Sequence, residues 1–287
     1  MPDDSRSPAV QGRLLRAALR RAREDAGLSQ DQVGSALDFS LSKVVRIESG
    51  AVKVSITDLK ALLALYEITE PGRVAELVAM ARVARQPSWW SSYRGIASKH
   101  YLEFVEFEQA ATATLNYEPL WIPGLLQTRE YADEIIRRLG PESDEAQQGL
   151  FEFRLKRQEL LDATDSPSLQ FVLDESVLRR QVGSVDIMIK QLHWLIELAN
   201  RSSVTIQVRP FSKGLVRRMQ APFVIHQLTD TADLDVLYLE GPDGDTIVDT
   251  DKGEIGGYRS VFEELKRTAL SPAESVTFIK EVANSIH

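Results

Sequence analysis

Positive side chains are concentrated near the start of the chain, although the formal net charge of the 287 residues is −8. Residues 1–87 contain 13 basic and 11 acidic side chains, whereas the remaining residues contain 21 and 31. Binding of a polyanion depends on local positive potential rather than on the average charge. The first segment therefore has a charge that suits contact with nucleic acid. The basic residues crowd together at Arg13, Arg16, Arg20, Arg21 and Arg23.

The composition argues against a metal or redox centre. The absence of cysteine excludes disulfides, thiolate zinc sites, iron–sulfur clusters and cysteine nucleophiles. The four histidines are widely scattered, and His193, between two large apolar neighbours on a predicted helix, is expected to be packed. We therefore expect no metal and no cofactor.

One compact polar cluster resembles an acid–base site: Asp174 and Glu175 lie beside Arg179 and Arg180 in the sequence. The preferred interpretation is a solvated ion-pair cluster where a strand meets a helix. The chain has neither the Gly-x-Ser-x-Gly elbow of a serine hydrolase nor a glycine-rich phosphate loop. The sequence therefore predicts that the protein is not an enzyme and has no catalytic residues.

Apolar side chains at helical spacing predict five short helices over residues 11–86, after a mobile arm over residues 1–10. Ser29 and Ser40 are expected to cap the second and third helices. A tight turn at Asp38-Phe39 separates these two helices, and the fifth helix is expected over residues 73–85. This segment is long enough for a complete helical domain.

The segment from Gly27 to Gly50 resembles, without a gap, the helix-turn-helix of the Cro/repressor family, also called the xenobiotic-response-element (XRE) family. Two short helices cross closely in such a unit, so small Gly34 is expected to face the second of them. The family normally has a left-handed glycine where this chain has Asp38, a residue type that tolerates this conformation. The resemblance implies that the second helix of the pair lies in a DNA major groove. A bundle with merely solvated charges, or a protein-binding relative, is the alternative.

The resemblance also implies roles for single residues. Arg46 is the best candidate for a guanine contact, because its planar fork matches two acceptors on that base. Gln30 occupies the position from which the family holds a backbone phosphate, and Lys53 is a second phosphate candidate. Arg23 and Glu48 match an internal salt bridge of the family. The expected base-reading residues are Ser40, Leu41, Ser42, Lys43 and Arg46.

Beyond a linker over residues 87–100, residues 101–287 are predicted to form a larger mixed α+β domain with a mainly antiparallel sheet. The segment 117–124, rich in aromatics and prolines, is expected to be a packed loop. Helical patterns cover residues 101–114, 128–139, 143–163 and 186–200 and the C-terminal end, and β-branched runs of strand length cover residues 169–174, 204–209, 222–227, 235–239 and 246–248.

Short motifs stand in order along this second region, at Trp89-Trp90 with Tyr93-Arg94, Tyr117-Glu118-Pro119, residues 122–128, Asp174-Glu175 with residues 178–180, residues 204–208, Pro222-Phe223 and residues 238–241. On these motifs the region resembles the C-terminal domain of actinobacterial WhiJ-like regulators, whose function is unknown. Such regulators are commonly encoded beside a small BldB-like protein that acts as an antagonist or a toxin-like partner. The resemblance therefore implies a small BldB-like partner encoded nearby.

The loop from Tyr117 to Thr128 is the candidate surface for a partner or ligand, since aromatics and prolines form a stiff apolar surface. The preferred alternative is that Trp121, Ile122 and Leu125 fill the core beneath the sheet. The aromatics of residues 89–93 are expected to pin the two domains together rather than to bind a partner. The candidate partner- or ligand-binding residues are Tyr117, Glu118, Trp121, Gln127, Asp174 and Arg179.

Together these features predict a homodimeric, sequence-specific transcription regulator, with repression as the simplest output, on a double-stranded DNA operator. Its half-sites are expected about 34 Å apart, or a multiple of this. The alternative is an antitoxin-like module that neutralises a small partner protein and autoregulates its own operon. Since no apolar run is long enough to span a membrane and no signal peptide is evident, a cytoplasmic location at the nucleoid is expected.

Overall fold

The computed structural model describes residues 8–229, 232–241, 245–249 and 251–286, and the chain divides into two units, Met1–Ser91 and Ser92–His287. Of the predicted N-terminal arm, residues 1–7 lie outside the described residues. Residues 8–10 belong to the first helix rather than to an arm. Pro8 is the first described residue of this helix, and its φ is already suited to a helix.

The first unit contains five α-helices among its described residues, as the sequence predicts. Leu19, Val33, Leu59 and Leu77 lie at the centre of one apolar core. The last helix begins at Pro71, two residues earlier than expected, because the Glu70 carboxylate caps its first turn. The helices are α1 (Pro8–Asp25), α2 (Gln30–Leu37), α3 (Leu41–Ser49), α4 (Ile56–Leu65) and α5 (Pro71–Ala84).

The second unit contains seven α-helices and six β-strands among its described residues. In chain order these are α6 (Lys99–Ala110), β1 (Ala113–Glu118), α7 (Arg129–Leu139), α8 (Asp144–Gln158), β2 (Ser168–Asp174), α9 (Glu175–Arg179), α10 (Val185–Leu198), β3 (Val204–Arg209), β4 (Phe223–Gln227), β5 (Val236–Leu239), β6 (Thr246–Val248), α11 (Lys252–Thr268) and α12 (Pro272–Ser285). No helix among the described residues is long and apolar enough to cross a membrane.

The six strands form one mixed sheet in the order β3-β2-β1-β4-β5-β6. The pairs β1–β2 and β2–β3 are parallel, whereas β1–β4, β4–β5 and β5–β6 are antiparallel. Antiparallel pairing thus prevails at three of five junctions, and the predicted α+β class with its helical first domain is confirmed. The parallel and antiparallel halves of the sheet meet between β1 and β4.

The central strand β1 was not predicted. The helix expected over residues 101–114 ends at Ala110, and residues 113–118 pair with β2 on one side and β4 on the other. The predicted packed loop therefore begins after Glu118. The alternation of apolar and polar side chains over residues 113–118 is typical of a strand, but the segment is short and lies between a helical pattern and Pro119, so it was divided between the predicted helix and the predicted loop.

The two faces of the sheet carry separate cores. On one face Leu169, Phe171 and Ile206 pack in a core that also contains residues of α10 and α12. On the other face Tyr117 and Phe223 belong to a core that includes α11. Because side chains alternate along a strand, Asn116 and Glu118 of β1 lie on the first face, opposite to Tyr117.

Two predictions about polar residues are wrong. His193 is exposed, because it lies on the outer side of α10, and the buried histidine is His226 on β4. Asp174 and Glu175 are buried rather than solvated, at 7% and 8% exposure. They hold the start of α9: Asp174 caps it, and Glu175 accepts hydrogen bonds from Arg179 and from the backbone of Phe211.

Candidate nucleic-acid interface and ligand cavity

Caps and a close backbone approach fix the crossing of α2 and α3. The hydroxyls of Ser29 and Ser40 accept hydrogen bonds from the first turns of α2 and α3, respectively. Between the helices, Asp38 adopts the expected left-handed conformation, with a φ of 53°. A Cβ atom added to Gly34 would lie 2.9 Å from the carbonyl oxygen of Phe39. The crossing therefore requires glycine at position 34.

Glu48 at the end of α3 ties together the first three helices. Its carboxylate accepts hydrogen bonds from Arg23 Nε at 2.7 Å and from Arg23 Nη2 at 3.2 Å. Gln30 Nε2 donates to the same carboxylate at 2.8 Å. The side chain of Glu48 is 5% exposed and that of Arg23 13% exposed, and their hydrogen bond raises the pKa of Arg23. Gln30, the expected phosphate contact, thus has its amide nitrogen engaged within the domain.

The outward face of α3 combines apolar and polar side chains. Val44 and Ile47 point into the core, as helical spacing predicts. Leu41 and Val45 are 48% and 41% exposed, and because they are four residues apart they form one apolar patch on this face. Val45 is absent from the predicted reading set, although it lies one turn after Leu41 and so shares its side of the helix. The exposed residues of this face are Leu41, Ser42, Val45, Arg46 and Ser49.

The other predicted DNA-contacting side chains differ in whether they are already bonded within the domain. Lys43 Nζ lies 2.9 Å from Asp58 Oδ1 of α4 and 3.5 Å from the centroid of the Phe39 ring, so its charge is already paired. Ser40 is exposed, but its hydroxyl caps α3. Lys53 is exposed beyond the end of α3.

The crowded arginines of α1 do not form the free basic face that the sequence suggests. Arg13 is buried, and Arg20 donates to the backbone oxygen of Glu48 at 3.4 Å. The Arg16 guanidinium lies against Gly50, where an added Cβ would come within 2.7 Å of its Cζ atom. Only part of the positive charge of α1 is therefore directed to solvent, because several guanidiniums hold the end of α3.

A cavity of about 830 Å³ opens over the first face of the sheet in the second unit. Three of the predicted candidates, Glu118, Trp121 and Gln127, line this cavity. Gln127 is held in place because its Nε2 donates to the Ile122 oxygen at 2.7 Å and its Oε1 accepts from Arg154 at 2.5 Å. The loop after β1 thus contributes both a packed core and part of a cavity wall.

The other three candidates lie elsewhere. Tyr117 is fully buried on the opposite face of the sheet, where its hydroxyl donates to the Met219 oxygen at 3.2 Å. Asp174 caps α9, and Arg179, the last residue of that helix, donates to Glu175. Within the loop, Ile122 and Leu125 fill the core as expected, whereas Trp121 is half-buried. The structure therefore divides the predicted partner surface into separate places.

Burial raises the pKa values of two carboxyl groups in the cavity wall. Burial raises the pKa of Glu118 well above its usual range, and the nearby charge of Glu240 adds to this. Burial and then the charge of Asp245 raise the pKa of Glu240. Arg157, also in the wall, donates from Nε and Nη2 to the two carboxylate oxygens of the buried Glu108. The cavity thus holds carboxylates that ionise at a free-energy cost.

Four further lining residues, Asn116, Arg154, Tyr238 and Glu240, were not predicted. They lie on β1, on α8 and near the end of β5, so no local spacing connects them. A correct prediction of β1 would have revealed one pair: Asn116 and Glu118 are two residues apart and therefore share a face.

Comparison with known protein families gives two matches. Residues 14–77 match a family described as Helix-turn-helix domain, and residues 101–281 match a family described as Domain of unknown function (DUF5753). The second match covers more than half of the 287 residues. Neither curated proteins nor solved structures give a significant match. The resemblance of the second region to WhiJ-like regulators stays a prediction.

Proposed function

The chain belongs to the family defined by the domain of unknown function DUF5753, and because a helix-turn-helix domain precedes that domain, we propose that it is a sequence-specific transcription regulator. The helix-turn-helix match supports a DNA-binding regulator. The proposal goes further: α3 enters the major groove of double-stranded DNA, and its outward face reads bases.

The observation that carries this proposal is the exposed face of α3 on a rigidly held helix. An ion pair with Arg23 and the Ser40 cap fix the helix, yet it presents Leu41 and Val45 to solvent next to Arg46. Aliphatic side chains suit contact with thymine methyl groups, and a guanidinium suits the paired acceptors of guanine. Aliphatic side chains that face water are unfavourable in the free protein, but beside a guanidinium they match the apolar and polar groups of the major groove.

We assign the reading roles to Leu41, Ser42, Val45 and Arg46, and assign Ser40 and Lys43 to the support of the helix. Lys53 and the backbone N–H groups at the start of α2 contact phosphates. Gln30, whose amide is bonded to Glu48, orients that helix start and contributes its second amide hydrogen. Phosphate contacts of this kind position the domain without reading sequence.

The biological unit we propose is a homodimer on an operator with two half-sites, at the nucleoid. One helical turn of DNA, about 34 Å, or a multiple separates the half-sites. Occlusion of a promoter then gives repression, which needs no further contact with the transcription machinery.

The test is a titration of wild type and two variants that each lose one positive charge, Arg46→Ala on α3 and Lys60→Ala on the exposed side of α4. On a duplex that the wild type selects, Arg46→Ala loses about 1–3 kcal/mol of binding free energy and tolerates substitution at one base pair. Lys60→Ala binds like wild type. Equal losses of Arg46→Ala on selected and random DNA contradict the base-reading role.

A partner-binding role of the second unit is a second candidate function, in which the chain neutralises a small BldB-like protein encoded nearby. One observation favours a protein contact: Phe211 and Leu215, between β3 and β4, are 57% and 93% exposed. Co-purification of the full chain with that small protein tests the role, and Leu215→Glu is expected to abolish it. Unchanged co-purification of Leu215→Glu contradicts this surface.

A further inference from the structure

The cavity of the second unit lies where ligand sites occur in open sheets. Its floor is formed by Asn116 and Glu118 near the carboxyl end of β1 and by Tyr238 near that of β5, which the strand register places on the same face. In open parallel α/β sheets, crevices at the carboxyl ends of the strands commonly bind ligands where the strand order changes direction. The parallel half of this mixed sheet ends at β1, where the strand order turns towards β4. The volume of about 830 Å³ is within the range that encloses a small organic molecule.

The free hydrogen-bonding capacity of the cavity is mainly that of acceptors. Asn116 is 7% exposed, and its Oδ1 is buried with no donor among the described residues. The Glu118 carboxyl group accepts hydrogen bonds from the backbone N–H groups of Leu120, at 3.3 Å, and Trp121, and it lines the cavity together with Glu240. A buried acceptor without a donor is costly, and a ligand that donates hydrogen bonds removes this cost.

Carboxyl groups outnumber guanidinium groups in the wall: Glu118, Glu240 and Asp245 line it together with Arg154 and Arg157. Arg157 is already engaged, because its Nε and Nη2 atoms donate to the Glu108 carboxylate and its Nη1 atom donates to the Tyr101 hydroxyl. Arg154 lines the cavity together with these three carboxyl groups. Arg154 Nη1 is bonded to Gln127, while its Nε has no partner among the described residues and leaves room for one acceptor on the same ligand.

Aromatic rings complete the wall. Trp121, Tyr101 and Tyr238 line the cavity together with Phe104, whose ring centroid lies 4.5 Å from that of Tyr238. The Phe104 ring is already occupied by Arg157, whose Cζ lies 4.8 Å from its centroid. Aromatic faces beside buried carboxylates are the combination that proteins use to hold organic cations.

We propose that this cavity is a binding site for a small organic cation, a protonated amine carried on an apolar body. The ammonium group donates to Asn116 Oδ1 and to the carboxylates of Glu118 and Glu240, and the apolar body contacts Trp121 and Tyr238. We expect an occupied cavity to change the affinity for DNA, and only this consequence rests on the proposed function. Binding itself is measured without DNA.

The raised pKa values of Glu118 and Glu240 agree with this chemistry. Two carboxylates close together in a buried site disfavour joint ionisation, because of desolvation and mutual repulsion. A bound cation supplies the missing counter-charge. Arg154, Arg157, Asp245 and the hydroxyls of Tyr101 and Tyr238 are the other titratable groups that face this pair.

The test uses three probes of nearly equal shape in calorimetric titrations of the full chain: tryptamine, its neutral counterpart tryptophol, and the anion indole-3-propionate. We expect tryptamine to bind at least about tenfold more tightly than tryptophol, because a desolvated cation gains from both the carboxylates and the rings. Indole-3-propionate is expected to bind most weakly. No measurable binding of tryptamine, or tighter binding of either counterpart, overturns the proposal.

Variants identify the site. Glu118→Gln with Glu240→Gln removes the preference for tryptamine over tryptophol, whereas Glu281→Gln, on the exposed side of α12, keeps it. Circular dichroism establishes that each variant is folded, and Asn116→Leu, which removes the buried acceptor and fills space, gives an independent loss of tryptamine affinity. A preference that survives in the double Gln variant places the amine elsewhere and overturns the proposal. Failure to bind DNA in a parallel titration contradicts the proposed function but leaves the amine result standing.

Discussion

Removal of Arg23 is expected to loosen the helix that we assign to base reading. In Arg23→Met the Glu48 carboxylate, 5% exposed, loses two hydrogen bonds at 2.7 and 3.2 Å and keeps the one from Gln30. Breaking one side of a buried ion pair costs about 3–5 kcal/mol, and we expect about 3 kcal/mol here because Arg23 reaches the surface. Hydrogen exchange of the backbone amides of α3 measures this loss as a lower free energy of opening.

Two further variants distinguish the ion pair from general damage to α1. Arg21→Met is the matched control on the same helix: its guanidinium is 86% exposed and lies 3.8 Å from Asp25, so α3 should exchange as in wild type. The double variant Arg23→Met with Glu48→Leu removes both charges and should recover most of the stability. The reasoning is refuted if the double variant opens as easily as Arg23→Met, or if Arg21→Met has the same effect as Arg23→Met.

Two other predictions concern the helix crossing and the buried histidine. In Gly34→Ala the new Cβ would lie 2.9 Å from the Phe39 oxygen, so we expect hydrogen exchange to show about 1–3 kcal/mol lower stability of α2 and α3. The control Ala36→Gly, at an exposed position of α2, is expected to cost only about 1 kcal/mol. Equal losses in the two variants would contradict the close approach of the helices at Gly34. Burial lowers the pKa of His226 to about 3, so below its unfolded value of 6.5 the unfolded chain binds a proton that the folded chain does not. The free energy of unfolding is therefore unaffected by His226 well above pH 6.5, and His226 lowers it by about 2 kcal/mol between pH 7 and pH 5. Because the raised pKa values of Glu118 and Glu240 act in the opposite direction, urea unfolding should compare wild type with His226→Gln. A stability difference between the two proteins that is the same at both pH values contradicts the prediction.

The helices of the first unit were predictable because their ends depend on local contacts. Ser29 and Ser40 cap the helix that follows each of them, and Asp38 supplies the left-handed residue between the two helices. Each of these signals acts over three or four residues, so it can be found in the sequence. The start of α5 was placed two residues late because Pro71 is itself the first helical residue.

The use of the α1 arginines was not predictable from their spacing. The same five side chains that suggest a basic surface include Arg13, which is buried, and Arg20 and Arg23, which bind Glu48 on a distant part of the chain. The exposure of Val45, in contrast, could have been predicted. A β-branched aliphatic residue is ordinarily expected in a core, but Val45 follows Leu41 by four residues and so lies on the same outward side of α3.

Strand β1 and the cavity were missed together. Asn116 and Glu118 alternate with Leu115 and Tyr117, as expected for a strand, but these few residues lie between a helical pattern and Pro119, and the polar face gave no sign of the cavity that it borders. Glu240 and Arg154 reach the same cavity from elements far away in the chain. Glu118, Trp121 and Gln127 were found because they share one unusual segment, rich in aromatics and prolines.

The central claim is that the outward face of α3 enters a duplex and touches its bases. Selection of binding sites by the purified full chain from a randomised duplex pool at low salt tests it most directly. We predict an enriched motif with two related half-sites, about one helical turn apart or a multiple of it, and loss of one conserved base pair when Arg46→Ala replaces the wild type. A pool that shows no enriched motif, although the protein binds DNA, would contradict the claim.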